Sequence, residues 1–499
     1  MDKQGRSRIR KSHFANCLLL LSGMYIVDIA DLASIKTSLI LNMLRRWKNL
    51  FLDIYFVRLY NRTKVLTYTN EGVRGMEDRI YFCIDQRTFF ATVECVARGL
   101  DPMKTNLVVA DPERSVNTIC LAITPAMKAL GIKNRCRIKD IPPNVDYITA
   151  TPRMQLYVDC AAEIYSVFLR YVGPEHIHVY SIDEAFLDMT PYLKMYGLPP
   201  RELAKKIMDE VKEIVGSLST CGIGTNLYLC KIALDILAKH SPDGIAYLDE
   251  ATYCKLLWDH RPITDFWRIS DGTAAKLWNR GITTMGGIAA YPEETIYGIL
   301  GIDAELLIDH AWGRESTTMK DIKDYKSKSK SLSSGQVLFR DYEPKEGLVI
   351  VKEMMDQLCL DMVAKQLVTN SITLCIGYSH AYGMMGAKGT AQIAVETNGD
   401  LMIVPAVAAL YERIVDPGCK IRRISLTCNN VREQPSELQL NMFEDPDKQV
   451  KNYNLQTTML DLKARYGKNI ILKGFNYDKA ATGRERNMYI GGHKSGRTS

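Results

Sequence analysis

Ile80 to Ile84 form an uninterrupted apolar run that delivers Asp85 at its end, as expected of a strand buried on both faces. Phe89, Phe90, Val93 and Val96 then recur at three- and four-residue intervals, so a helix begins and Asp85 is left at a strand-to-helix junction. A small αβ segment follows, with LVVA at 107–110, ICLAI at 119–123 and Pro142-Pro143 closing it. Tyr157 to Val172 is helical by pattern, and Ile177 to Met189 reads as two short strands meeting around Asp183-Glu184. Leu203, Ile207, Met208, Val211, Ile214 and Val215 mark one face of an amphipathic helix. A strand near Cys221 to Gly224 then feeds a helix carrying Lys231. This alternation implies an α+β arrangement, a mixed sheet with helices packed on it.

From 249 to 318 the pattern is helical and short-looped, with ISDGTAAKLWNRGITTMGGIA at 269–289 in its middle. Residues 320–330 carry five Lys and two Asp without periodicity, which predicts a basic linker. Beyond it, VLFR (337–340), a helix through Met354 to Val363, SITLCIGY (371–378), TAQIAVE (390–396), a helix through Val404 to Ile414 and IRRISLTC (421–428) spell β-α-β-β-α-β. After Asn430 the chain turns polar, and a mostly flexible tail is expected.

A length of 499 residues calls for several domains, and 46% hydrophobic with 24% charged residues excludes collagen-like and largely disordered classes. The net charge of +7 is unevenly spread. Residues 1–75 hold 13 basic against 5 acidic side chains, 444–499 hold 11 against 6, and the body between holds 40 against 46. A polyanionic partner must therefore be met by local clusters. Thirteen cysteines without a C-x-x-C pair or zinc spacing signal neither a disulfide framework nor a structural metal, and fit the reducing cytoplasm. The apolar run Cys17 to Val27 is too short to span a bilayer, so no stable membrane association is expected. Met76 stands just before the first strong strand, and residues 1–75 are expected to be an N-terminal extension outside the working protein.

Asp85, Asp183 and Glu184 are three carboxylates at strand ends or turns. A lone Asp after a strand usually serves only loop solubility. The Asp183-Glu184 pair is different, because two adjacent charges in an apolar strand context are costly unless a cation meets them. Magnesium takes hard oxygen ligands, typically one or two carboxylates plus substrate phosphates. Two such ions roughly 3.5–4 Å apart stabilise both the attacking and the leaving oxygen of an in-line phosphoryl displacement.

The segments IDQRTFFATVE, YSIDEAFLD and CGIGTNLYLCKIA closely resemble the signatures of Y-family DNA polymerases, with the nearest likeness to bacterial UmuC and DNA polymerase IV-like translesion enzymes. The resemblance covers about 76–443. It implies a right-hand polymerase: a ferredoxin-like palm (76–88 and 154–240), small fingers (89–153), a helical thumb (241–318), a basic linker (319–332), a βαββαβ little finger (333–430) and a tail (431–499). It also implies template-directed, low-fidelity synthesis from deoxynucleoside triphosphates on primer-template DNA, in DNA repair.

By the same resemblance, Asp85, Asp183 and Glu184, with the backbone carbonyl of Gln86, correspond to the ligands of two magnesium ions. Phe90 falls at the steric gate that crowds a sugar 2′ position. Lys231 corresponds to a lysine on the incoming triphosphate, and Lys128 keeps the charge of a fingers contact whose usual Tyr is replaced by Pro125. The 269–289 segment resembles the thumb helix-hairpin-helix, with Gly272 retained in a turn where Ser270 replaces the first Gly. Lys326, Lys328 and Lys330 in the linker, and Arg422 and Arg423 on a little-finger strand, are the positive clusters placed to follow phosphates. Gln439, Leu440, Met442 and Phe443 resemble a bacterial sliding-clamp peptide. Two rivals stay open at this point: a nucleotidyl cyclase-like palm, and a catalytically weak, clamp-tethered DNA-binding accessory protein.

Overall fold

The computed structural model describes residues 79–113, 116–435 and 446–496. The expected N-terminal extension and the clamp-like peptide at 439–443 lie outside these residues. Strand β1 (Tyr81–Gln86) is the centre of a five-stranded sheet. Helix α1 (Phe89–Val96) follows it directly. The sheet order is β5 (Ile177–Val179), β6 (Glu184–Asp188), β1, β7 (Ser219–Gly224) and β8 (Ile245–Leu248). β1 runs antiparallel to both neighbours, while β7 and β8 are parallel.

Alternation along β1 explains its unbroken apolar run. Phe82 and Ile84 enter the core formed with α1, α3 (Met154–Phe168) and α4 (Pro200–Val215). Tyr81 and Cys83 face the opposite side, against Leu227, Cys230 and Leu234. That second layer is helix α5 (Leu227–Ile232), continued by a wide turn over 233–237 and a tight one over 238–240. Gly222 and Gly224 let it settle onto the sheet, because a Cβ on either would collide with backbone at Cys230, and on Gly222 at Leu234 as well.

Three other units carry their own cores. A small sheet of β3 (Ala122–Ile123), β2 (Leu107–Val109) and β4 (Ile148–Ala150) packs Val108 and Ile123 around Met127 of helix α2 (Pro125–Ala129). Helices between Glu250 and Ala311 bury Tyr253, Phe266, Leu277 and Ile296. The C-terminal sheet has the order β11 (Ala387–Thr397), β10 (Leu367–Tyr378), β12 (Ile421–Asn429) and β9 (Leu332–Tyr342). Two helices, Pro344–Ala364 and Asp400–Ile414, cover one face of it and give the expected βαββαβ order.

Two expectations are corrected. The basic linker starts with a helical turn at Met319–Asp324, because Thr318 and Asp321 form a reciprocal cap and Met319 is buried under the central sheet. Residues 446–496 are not a loose tail. They begin with a helix, Pro446–Tyr466, and continue through short turns and a terminal hairpin. What holds them is mainly polar and buried, so no apolar periodicity announced the fold.

Candidate active site

Backbone pairing assembles the acidic cluster. Asp85 is the direct cross-strand partner of Glu184, and the Gln86 amide donates to the Asp183 carbonyl at 2.9 Å. Asp85 and the adjacent pair Asp183-Glu184, remote from each other in sequence, thus share one end of β1 and β6. Lysines balance them. Glu184 Oε2 accepts from Lys231 Nζ at 2.8 Å and Oε1 from the Cys83 thiol at 3.2 Å, while Asp183 Oδ1 accepts from Ser181 Oγ at 2.6 Å. Lys239 Nζ lies 3.4 Å from Asp85 Oδ2 and donates to Asp235 Oδ1 at 2.8 Å.

The electrostatics follow from this crowding. Burial pushes the Asp85 carboxyl up to about 6; Lys239 opposes the shift, and Asp183 and Glu184 add to it. Burial also works against the charge on Lys231, but Cys83, Asp235 and Glu184 outweigh it and hold the ammonium protonated well beyond its ordinary range. Among the described residues no three His, Cys, Asp or Glu side chains stand in metal-binding geometry. With Glu184 on Lys231 and Asp85 close to Lys239, the ammonium groups supply the counter-charge here. The donor set itself suits hard divalent ions: three carboxylates at adjacent strand ends, one of them with its pKa raised by burial.

Lys231 is not where the sequence reading put a triphosphate contact. Its side chain is 7% exposed, bound to Glu184 and Asp235, with Nζ 5.7 Å from the centre of the Tyr180 ring. Lys239, 41% exposed, is the lysine on the open side. It was missed, although its spacing from Lys231 and Asp235 at four-residue steps was visible. Lys128 faces the same charges: burial lowers its pKa, Asp85 raises it, and Lys239 and Arg87 lower it further.

Phe90 is half-buried, its ring 4.8 Å from Tyr157, whereas Phe89 is in the core. The Tyr157 hydroxyl donates to the buried Glu94 at 2.7 Å, and Arg153 donates to the same carboxylate at 2.8 and 3.0 Å. Beside the acidic hairpin opens a cavity of about 310 Å³ lined by Gln86, Tyr165, Phe168, Ser181, Asp183 and Glu184. Gln86 Oε1 accepts from Ser219 Oγ at 2.9 Å, while its Nε2 is buried without a partner.

The outlying expectations fare differently. Gly272 is not in a tight turn; it lies in the first turn of helix Asp271–Trp278, which Ser270 caps by accepting from the Thr273 amide at 3.3 Å. Lys326, Lys328 and Lys330 are exposed. The register of β12 slips between Ile421 and Arg423, so neither Arg422 nor Arg423 enters the core; Arg422 lies 3.8 Å from Asp341 and Arg423 is exposed.

Comparison with known proteins gives a consistent set of matches. The model of the impB/mucB/samB family matches residues 84–235, and that of its C-terminal domain matches 329–442. The putative UV-damage repair protein UvrX of Bacillus subtilis (strain 168) is 30% identical, over 83% of this chain and 97% of that protein. DNA polymerase IV 2 of the same organism is 28% identical over 84% and 99%. Among solved structures, a Y-family DNA polymerase chimera, Dbh-Dpo4(243-245)-Dbh, superposes with a TM-score of 0.53 at 21% identity, covering 71% of this chain and all of that one.

Proposed function

The chain belongs to the impB/mucB/samB family of Y-family DNA polymerases and is a DNA-directed DNA polymerase of the translesion class; on that premise we propose that Asp85, Asp183 and Glu184, with the Gln86 carbonyl, form its nucleotidyl-transfer centre. In this reading the central sheet and its helices are the palm, residues 89–153 the fingers, 241–318 the thumb and 333–430 the little finger. The primer 3′ hydroxyl attacks the α-phosphate of a deoxynucleoside triphosphate, and pyrophosphate leaves.

Two magnesium ions held by the carboxylates would neutralise the triphosphate and the charge that develops during transfer. The chain's own groups do the rest. Lys239 and Lys128 attract the triphosphate from the open side. Lys231 holds the Glu184 carboxylate in place through their ion pair. Phe90, braced by Tyr157, fills the space a ribose 2′ hydroxyl would need. The thumb helix at 271–278, the linker lysines and Arg423 follow the DNA phosphates, and residues 439–443 engage a sliding clamp.

The observation that carries the reading is the direct pairing of Asp85 with Glu184 at the edge of a cavity that Asp183 also lines. Primer extension on undamaged and abasic templates tests it. Asp183→Asn or Glu184→Gln should cut nucleotide addition by roughly a hundred- to a thousand-fold with an unchanged circular dichroism spectrum. Retention of full activity by both variants would reject this centre.

A further inference from the structure

The segment GRERNMYIGGHKSG, basic and rich in glycine, has no part in nucleotidyl transfer, yet it is folded and held at both ends. We propose that residues 446–496 are a strap that locks the little finger against the fingers and palm, so that the DNA-holding and catalytic halves move as one body.

The first anchor is in the little finger. Glu353, on the helix Pro344–Ala364, is only 6% exposed. It accepts from Asn476 Nδ2 at 2.7 Å, the Thr482 amide at 2.8 Å and the Gly483 amide at 3.1 and 3.2 Å. A carboxylate buried this deeply would be costly without these donors. Lys473 bridges Asp356 and Asp400, Asn452 donates to Asp400 at 2.9 Å, and Gln336 donates to Thr482 Oγ1 at 3.1 Å. Ala480 joins the apolar core of the same module.

The second anchor is on the other half of the molecule. Tyr489–Ile490 and His493–Lys494 pair as a two-residue hairpin, and Gly491 and Gly492 supply the positive φ angles of 58° and 81° that its turn requires. Ile490 packs against the palm core. Lys494 Nζ reaches Glu113 Oε2 at 2.5 Å and Asp111 Oδ1 at 3.4 Å, in the loop after β2. The Ser495 carbonyl accepts from the Gln155 amide at 2.9 Å, at the start of α3. Gly496 lies against Arg153, where a Cβ would collide with its backbone and side chain.

Chain length makes the link stiff. Arg486 belongs to the last short helix on the little finger, and Tyr489 already stands in the hairpin docked on the palm. Three residues reach at most about 10 Å when fully extended. The covalent linker at 325–331 is exposed along its length and could not by itself fix the two halves.

Deleting residues 488–499 keeps the Glu353 donors and removes the second anchor; Ile490→Asp weakens it in the full chain. Nitroxide labels carried by non-canonical residues at 212 in the palm and 388 in the little finger report the separation of the halves by pulsed electron spin resonance, with no need for catalysis. The full chain should give one narrow distance distribution, and both variants a distribution at least twice as wide. An unchanged width after deletion, or a width already broad in the intact protein, would overturn the strap. Loss of primer extension in the Glu184 variant is read separately, so the two conclusions fail independently.

Discussion

At the residue scale, Lys231 and Lys239 share Asp235 but do different work. Lys231 is enclosed and holds Glu184; Lys239 is open to solvent near Asp85. Steady-state kinetics should separate them. Losing a hydrogen bond to a charged group costs about 1.5 to 3 kcal/mol, so Lys239→Ala should raise KM for the nucleotide roughly ten- to a hundredfold with a smaller change in kcat. Lys231→Met leaves Glu184 without its ion pair and should lower the melting temperature as well as kcat; equal effects of the two substitutions would contradict this division. On the proposed placement of the sugar gate, Phe90→Ala removes the ring packed on Tyr157 and should admit ribonucleotides. Unchanged sugar selectivity would place the gate elsewhere.

At the scale of elements, the positions that hold helix and sheet together are glycines. Gly222→Ala would drive a methyl group into the backbone of the helix that carries Lys231, and overpacking of this kind costs about 3 kcal/mol. Urea denaturation should show that loss, while Gly281→Ala, where no atom lies within reach but φ is +73°, should cost less. Much of this level could be read in the sequence. The run from Ile80 to Ile84 and the acidic pair at 183–184 fixed their strands, because buried central strands carry a strong apolar signal. Lys239 escaped notice because the helix changes pitch between 233 and 240, and even spacing gives no orientation there. The C-terminal segment escaped because Glu353, Lys473 and Asn476 hold it by buried polar contacts, which leave no hydrophobic period.

At the scale of the whole molecule, the clamp-like peptide acquires a different setting from the one its sequence suggests. The chain is folded on both sides of it, with Arg432–Glu433 paired to β10 before it and the helix Pro446–Tyr466 after it. Deleting residues 439–443 should abolish stimulation of primer extension by the clamp and leave basal addition intact; undiminished stimulation would reject the peptide.

Order of synthesis gives the terminal hairpin one more meaning. Domains fold as units while the chain emerges, N-terminal ones first, and residues 489–494 leave the ribosome after every other described strand or helix. The nascent polymerase therefore has its catalytic sheet complete while its C-terminal module still swings free, and it becomes a single rigid body only when Ile490 and Lys494 reach the surface that awaits them.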